Sequence, residues 1–175
     1  IFNGPCKSRA DLALAAADEA LINVDHLDEI EVLESVAAGM GRTIPVGIRV
    51  NLDAGITPVW SRFGFNLESG EALAAAKRMA AGKRLRPVGL HCHIGTFILD
   101  PEAYGRQVAK LADLARQVEA VCGHSLDYLD IGGGFPSRNR LKGTGMDPDI
   151  AVRPIGDYAE VICSALMDHL QPGNR

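Results

Sequence analysis

At 175 residues, 47% hydrophobic and 23% charged, the chain is long enough to bury an ordinary core and too apolar to stay disordered. Its net charge of -4 argues against a nucleic acid or an anionic membrane as partner, because phosphate backbones select basic surfaces, and leaves a small molecule as the expected ligand. Four cysteines (Cys6, Cys92, Cys122, Cys163) without a CxxC pair exclude a zinc finger or dense disulfide framework and read as cytoplasmic thiols, and neither a membrane-length apolar run nor a signal peptide is present.

The chain opens on an apolar pair, Ile1-Phe2, expected as a strand that ends at Asn3-Gly4-Pro5-Cys6-Lys7-Ser8. A helix over 9–20 follows, capped by Ser8; then a strand over 21–24 ending in Asp25-His26, and a helix over 26–38 for which Asp25 is the expected cap. The next strand, 46–50, ends in Arg49-Val50-Asn51 and opens a long loop over 52–66, after which a helix is expected over 69–81. A strand over 88–94 ends in His93-Ile94-Gly95-Thr96. The clearest helix covers 101–121: Asp100 caps it, Pro101 suits its first turn, Tyr104, Val108, Leu111, Ala115 and Val118 form one apolar stripe, and Gly123 closes it. A strand over 128–131 runs into Gly132-Gly133-Gly134, and after a second long loop, 137–154, a helix is expected over 155–169.

Strand and helix thus alternate five times, which predicts an α/β fold with a parallel sheet whose strand C-termini share one functional rim. Five strands cannot close an eight-stranded barrel, so the alternatives are an open doubly wound sheet and a truncated barrel. The start without Met and the loop-like tail at 171–175 favour a piece of a larger domain.

Three rim segments could carry chemistry. Successive glycines at Gly132, Gly133 and Gly134 allow positive φ and close backbone approach, so their N–H groups can converge on phosphate oxygens, although a mere tight turn uses the same residues. His91 and His93 share a strand face, with His93 nearer the rim. They read as cofactor-stacking or core histidines; a metal pair would need further ligands, for which His26 is the only rim candidate. Thr96 adds a hydroxyl suited to phosphate or substrate, or to capping a turn. Arg49 on a core strand must be paired, either with an anion at the rim or in a salt bridge to Asp25 or Asp130.

With these residues in view, the chain resembles the barrel domain of the fold type III pyridoxal-phosphate decarboxylases, the diaminopimelate, ornithine and arginine decarboxylase group related to alanine racemase. The resemblance rests on Asn3-Gly4-Pro5-Cys6-Lys7-Ser8, Asn23-Val24-Asp25 with Asp28-Glu29-Ile30, Gly47-Ile48-Arg49-Val50-Asn51, Ser61-Arg62-Phe63-Gly64, Gly89-Leu90-His91-Cys92-His93-Ile94-Gly95 and Leu129-Asp130-Ile131-Gly132-Gly133-Gly134-Phe135-Pro136. It implies a pyridoxal 5'-phosphate-binding (β/α)8 TIM-type barrel of which 1–175 covers about strands 3 to 7, without the C-terminal β-domain. It also implies roles: His93 stacks on the pyridine ring and serves catalysis, Thr96 stands for a serine near the phosphate, Gly132, Gly133 and Gly134 bind the phosphate, and Arg49 lies beside the ring. Arg62 stands where the family usually has lysine.

The family's cofactor-bonding lysine and its pyridine-grounding glutamate have no counterpart here; Lys7 matches a different family lysine. The resemblance implies decarboxylation of a basic or dibasic amino acid, with the wording around His93 leaning to diaminopimelate, by a cytoplasmic homodimer when full length, with no nucleic-acid or membrane partner. Ornithine, arginine or lysine decarboxylation is the nearest alternative. A non-catalytic regulatory homologue and a metal-dependent barrel hydrolase are the alternatives of other classes.

Overall fold

The computed structural model describes residues 1–137 and 152–169. The expected loop at 137–154 and the tail at 171–175 therefore fall largely outside the described residues. Five parallel strands form one sheet: β1 (Ile22–Val24), β2 (Ile44–Asn51), β3 (Phe65–Asn66), β4 (Leu85–Cys92) and β5 (Tyr128–Asp130). The order is β1-β2-β4-β5, with β3 paired to the end of β2. A doubly wound sheet reverses its strand order at a switch point, whereas this one advances steadily in one direction, as an arc of a barrel does.

Five helices fill the connections: α1 (Arg9–Ala17), α2 (Leu27–Met40), α3 (Glu71–Gly82), α4 (Pro101–Cys122) and α5 (Ile155–His169). Several end signals act as the sequence predicts. Ser8 accepts from the Asp11 N–H, and Asp11 returns the bond to the Ser8 N–H, a reciprocal cap. Asp100 accepts from the Glu102 N–H beside Pro101, and Gly123 ends α4 in the left-handed region at φ 73°.

Other boundaries shift for physical reasons. Helix α1 stops three residues short of Ala20 because Glu19 turns to φ 56°, where Arg42 pairs with it and donates to the Ala16 carbonyl. Asp25 does not cap α2: His26 is the cap residue, without a side-chain bond, while Asp25 is drawn to Arg49 and gives its own N–H to Glu29 at 2.8 Å. Helix α3 begins after a turn in which the Ser69 N–H donates to Asn66. The expected Ile1-Phe2 strand is reduced to one bridge, Phe2 to Ile22. Strand β3 sits inside what reads as a loop, since two residues are too short to show a period.

The sheet has two unlike faces. On the helix side Val24, Ile48, Leu90 and the stripe of α4 are buried to within 5%. On the concave side, Asn23, Gly47, Gly89 and Tyr128 are paired in register across four strands. The two glycines are slots for Tyr128: a Cβ at Gly89 would lie 2.3 Å from its ring, and one at Gly47 2.2 Å from its hydroxyl. That hydroxyl thereby reaches Asn23 Oδ1 at 3.2 Å, tying β5 to β1 across the arc. A register shift between Val46 and Gly47 absorbs Val88 next to Pro87, so that Gly47 meets Gly89 and the row stays aligned.

Candidate functional site

One step towards the strand C-termini, the concave face becomes charged. Arg49 pairs in register with His91, and His91 with Asp130. Arg49 Nη1 lies 3.3 Å from Asp25 Oδ1 and 3.4 Å from the Asn3 carbonyl, and its guanidinium covers the Phe63 ring at 4.9 Å. The salt bridge to Asp25, one of the two readings of Arg49, is present. His91 Nε2 stands 2.9 Å from the Asn3 side-chain amide. Burial, partly offset by Asp130, lowers the His91 pKa to about 4 and keeps it neutral. Between the histidines, Cys92 faces the helices with its thiol pushed up to about 12 by burial, which leaves it unreactive.

His93 lies just beyond β4 rather than in it. Its Nδ1 is 3.4 Å from the Gly133 N–H, a long bond that makes Nδ1 an acceptor. Burial, and then Arg49, lowers the His93 pKa from its ordinary value. Gly132 and Gly134 have φ of 71° and 94°. A Cβ at Gly132 would sit 2.8 Å from the Cys92 carbonyl, and one at Gly134 would sit 1.9 Å from the Gly95 carbonyl and 3.4 Å from His93 Cε1; beside Gly133 nothing lies within 4 Å. Ile98 N–H donates to the Gly134 carbonyl at 2.9 Å, which knits the loop carrying exposed Thr96 to the glycines. His93, the three glycines and the Thr96 loop therefore share one rim, and Arg49 stands one row below them.

Side chains whose bonds to this rim the sequence reading missed hold it in place. Gln107, fully buried, donates to the Cys92 carbonyl at 2.8 Å and the Ile131 carbonyl at 3.0 Å, joining the ends of β4 and β5 just before His93 and Gly132. Tyr104 donates to the Gly133 carbonyl at 3.1 Å and stacks on Phe135 at 4.5 Å; Tyr158 of α5 donates to the Ile98 carbonyl at 2.9 Å. Gln107 could have been found, because it falls on the apolar stripe of α4, where a polar residue needs a partner. Gln107→Leu is expected to cost about 2–4 kcal/mol, the sum for two carbonyls left without donors, with faster amide exchange at Gly132 to Gly134. Urea unfolding and hydrogen exchange of the full-length protein measure both, and an unchanged midpoint would remove Gln107 from the rim's support.

The residues fit an anionic aromatic cofactor: two glycines in left-handed geometry, open space at the third, and a neutral imidazole in contact with them. Among the described residues, no three His, Cys, Asp or Glu side chains converge as a metal cluster, and no helix is long and apolar enough to cross a membrane.

Residues 1–175 match the family model for the pyridoxal binding domain of pyridoxal-dependent decarboxylases. Diaminopimelate decarboxylase of Archaeoglobus fulgidus is 31% identical over 162 residues, 86% of this chain and 37% of the relative. That of Actinosynnema pretiosum is 35% identical over 149 residues, 77% of this chain and 31% of the relative. The crystal structure of diaminopimelate decarboxylase from Helicobacter pylori complexed with L-lysine is similar at a TM-score of 0.75 and 28% identity, covering 95% of this chain and 42% of that one. The Methanocaldococcus jannaschii enzyme in complex with L-lysine shares the fold at a TM-score of 0.82 and 23% identity, covering 99% and 40%. The chain thus spans well under half the length of the relatives it matches.

Proposed function

Because this chain belongs to the pyridoxal-dependent decarboxylases, which it matches over their pyridoxal-binding domain, we propose that its rim holds pyridoxal 5'-phosphate and that the full-length protein decarboxylates a basic or dibasic amino acid, diaminopimelate first among them. The observation that carries the reading is the closure of Gly132 to Gly134 onto His93 at one strand-end rim. The names of the relatives, and the L-lysine in the similar structure from Helicobacter pylori, support the substrate class.

The cofactor, when bound, supplies an electron sink for the pair left on Cα as the carboxylate departs as CO2. The chain's residues do the rest by placement. The glycine turn would receive the phosphate through the Gly134 N–H, since those of Gly132 and Gly133 are given to Asp130 and His93, with the Thr96 hydroxyl beside it. His93, neutral and oriented by the Gly133 N–H, offers a ring face to the pyridine. Arg49, paired with Asp25, would shape the floor of the site, while burial, and then Arg49, lower the His93 pKa. On this reading the full-length protein is a cytoplasmic homodimer, which sedimentation tests.

The experiment is a release assay for CO2 with full-length protein and pyridoxal 5'-phosphate. Diaminopimelate is expected to be consumed at least about tenfold faster, in kcat/KM, than ornithine, arginine or lysine, a difference of about 1.4 kcal/mol. A preference for ornithine or arginine would move the protein to polyamine-type substrates; no CO2 from any of them would refute the decarboxylase reading.

A further inference from the structure

Trp60 lies in the connection between β2 and β3 and is the only tryptophan of the chain. Its indole meets the His93 imidazole edge to face, with ring centroids 5.8 Å apart and planes at 86°. Phe63 meets the indole at 6.4 Å and 61°, and the Arg62 guanidinium lies 5.5 Å over it. Phe63 is in turn covered by Arg49. An aromatic and cationic ladder therefore runs from surface Arg62 through Trp60 to His93, and through Phe63 to the buried Arg49–Asp25 pair.

The ladder bears on a specific weakness of His93. An imidazole rotates about a broad, roughly two-fold torsion, and the hydrogen bond that restrains His93 is long, 3.4 Å from the Gly133 N–H. An edge-to-face neighbour opposes that rotation and still leaves at least one imidazole face free, whichever ring supplies the edge. Trp60 is not placed there by a hydrophobic core: it borders a cavity of about 560 Å³ shared with Pro58, Gly95, Thr96 and Ile98, and its Nε1 is buried without a protein partner among the described residues. Among the described residues, its aromatic and cation–π partners are His93, Phe63 and Arg62.

Resting on the cofactor reading above, we propose that Trp60 is a positioning residue that fixes the plane of His93 for stacking on the pyridine ring. It acts through His93, which makes the proposal separable from a general effect on folding or on the loop.

The test is a double-mutant cycle in the full-length protein, reading the dissociation constant for pyridoxal 5'-phosphate and the visible circular dichroism of the saturated protein. Trp60→Ala is expected to weaken binding about tenfold, the upper range of one aromatic pair, and to diminish the visible dichroism even at saturation. Trp60→Phe keeps an aromatic edge and stays within about twofold; Trp60→Leu, which fills the space without one, follows alanine. In a His93→Ala background, Trp60→Ala changes binding less than about twofold, because the group it positions is gone. Equal losses in both backgrounds, or none in either, would overturn the role of Trp60. A His93→Ala protein with parental affinity and dichroism would instead overturn the stacking role of His93, and a full-length protein that does not bind the cofactor at all would refute the cofactor reading itself.

Discussion

Gly134→Ala is expected to weaken binding of pyridoxal 5'-phosphate to the full-length protein by about 100-fold or more, roughly 2.7 kcal/mol. The residue combines φ of 94° with a backbone contact that leaves no room for a methyl group: the new Cβ would stand 1.9 Å from the Gly95 carbonyl. Neither atom is the end of a flexible side chain, so the turn itself must move. Its movement breaks the Ile98 N–H bond to the Gly134 carbonyl and shifts the Gly134 N–H proposed to meet the phosphate. Hydrogen bonds to a charged group are worth about 1.5–3 kcal/mol each, so loss of one or two accounts for the effect. Equilibrium dialysis measures it. Gly156→Ala, on α5 with nothing within 4 Å of the added Cβ, serves as the control and is expected to stay within about twofold. A Gly134→Ala protein that binds like the parent would dismiss the glycine nest.

The second large effect is on stability. Lys7→Met is expected to destabilise the protein by about 3–5 kcal/mol, the usual cost of removing one partner of a buried ion pair. Lys7 Nζ lies 2.9 and 2.8 Å from the two Glu29 carboxylate oxygens, and the side chains are 0% and 2% exposed. Without Lys7 the Glu29 charge keeps only the Asp25 N–H and, at 3.6 Å, half-exposed His26. Glu29→Gln in the same chain removes the stranded charge and keeps an acceptor for Asp25, so Lys7→Met/Glu29→Gln should regain about half of the loss. Urea midpoints of the three proteins decide it; a Lys7→Met midpoint equal to the parent's would mean that water reaches the pair. Through Glu29 and Asp25 this pair also sets where Arg49 sits, so stability and the floor of the site share one network. It also explains why Lys7, despite ending a strand-like segment, is committed to structure.

Much of the fold was legible because its signals are local. Ser8, Asp100, Pro101 and Gly123 act within one helical turn of themselves, and the stripe from Tyr104 to Val118 buries the face its period predicts. The paired strand ends were legible as strand ends, since the glycines and histidines directly follow apolar runs, although tight-turn and core-histidine readings use the same residues. Asp25 was misread as a cap for a non-local reason: its carboxylate is drawn to Arg49 on the neighbouring strand, a competition no window around Asp25 contains. Trp60 stayed out of sight in the same way, because its partner His93 is distant in sequence and the connection between them has no period.

By itself, then, the sequence determined the alternation of strand and helix, the helix ends at Ser8, Asp100 and Gly123, and the residue types gathered at the strand ends, including His93 and Gly132 to Gly134. These follow from backbone preference and side-chain period, which act between near neighbours. Only the tertiary structure decided that β2 and β4 pair with a register shift so that Gly47 faces Gly89 and Tyr128 can cross to Asn23, that Arg49 is taken by Asp25, that Gln107 ties Cys92 to Ile131, and that Trp60 stands against His93. Each of those pairs meets only after the sheet has curved, since buried polar groups and aromatic rings take the partners that packing brings to them, wherever these lie along the chain.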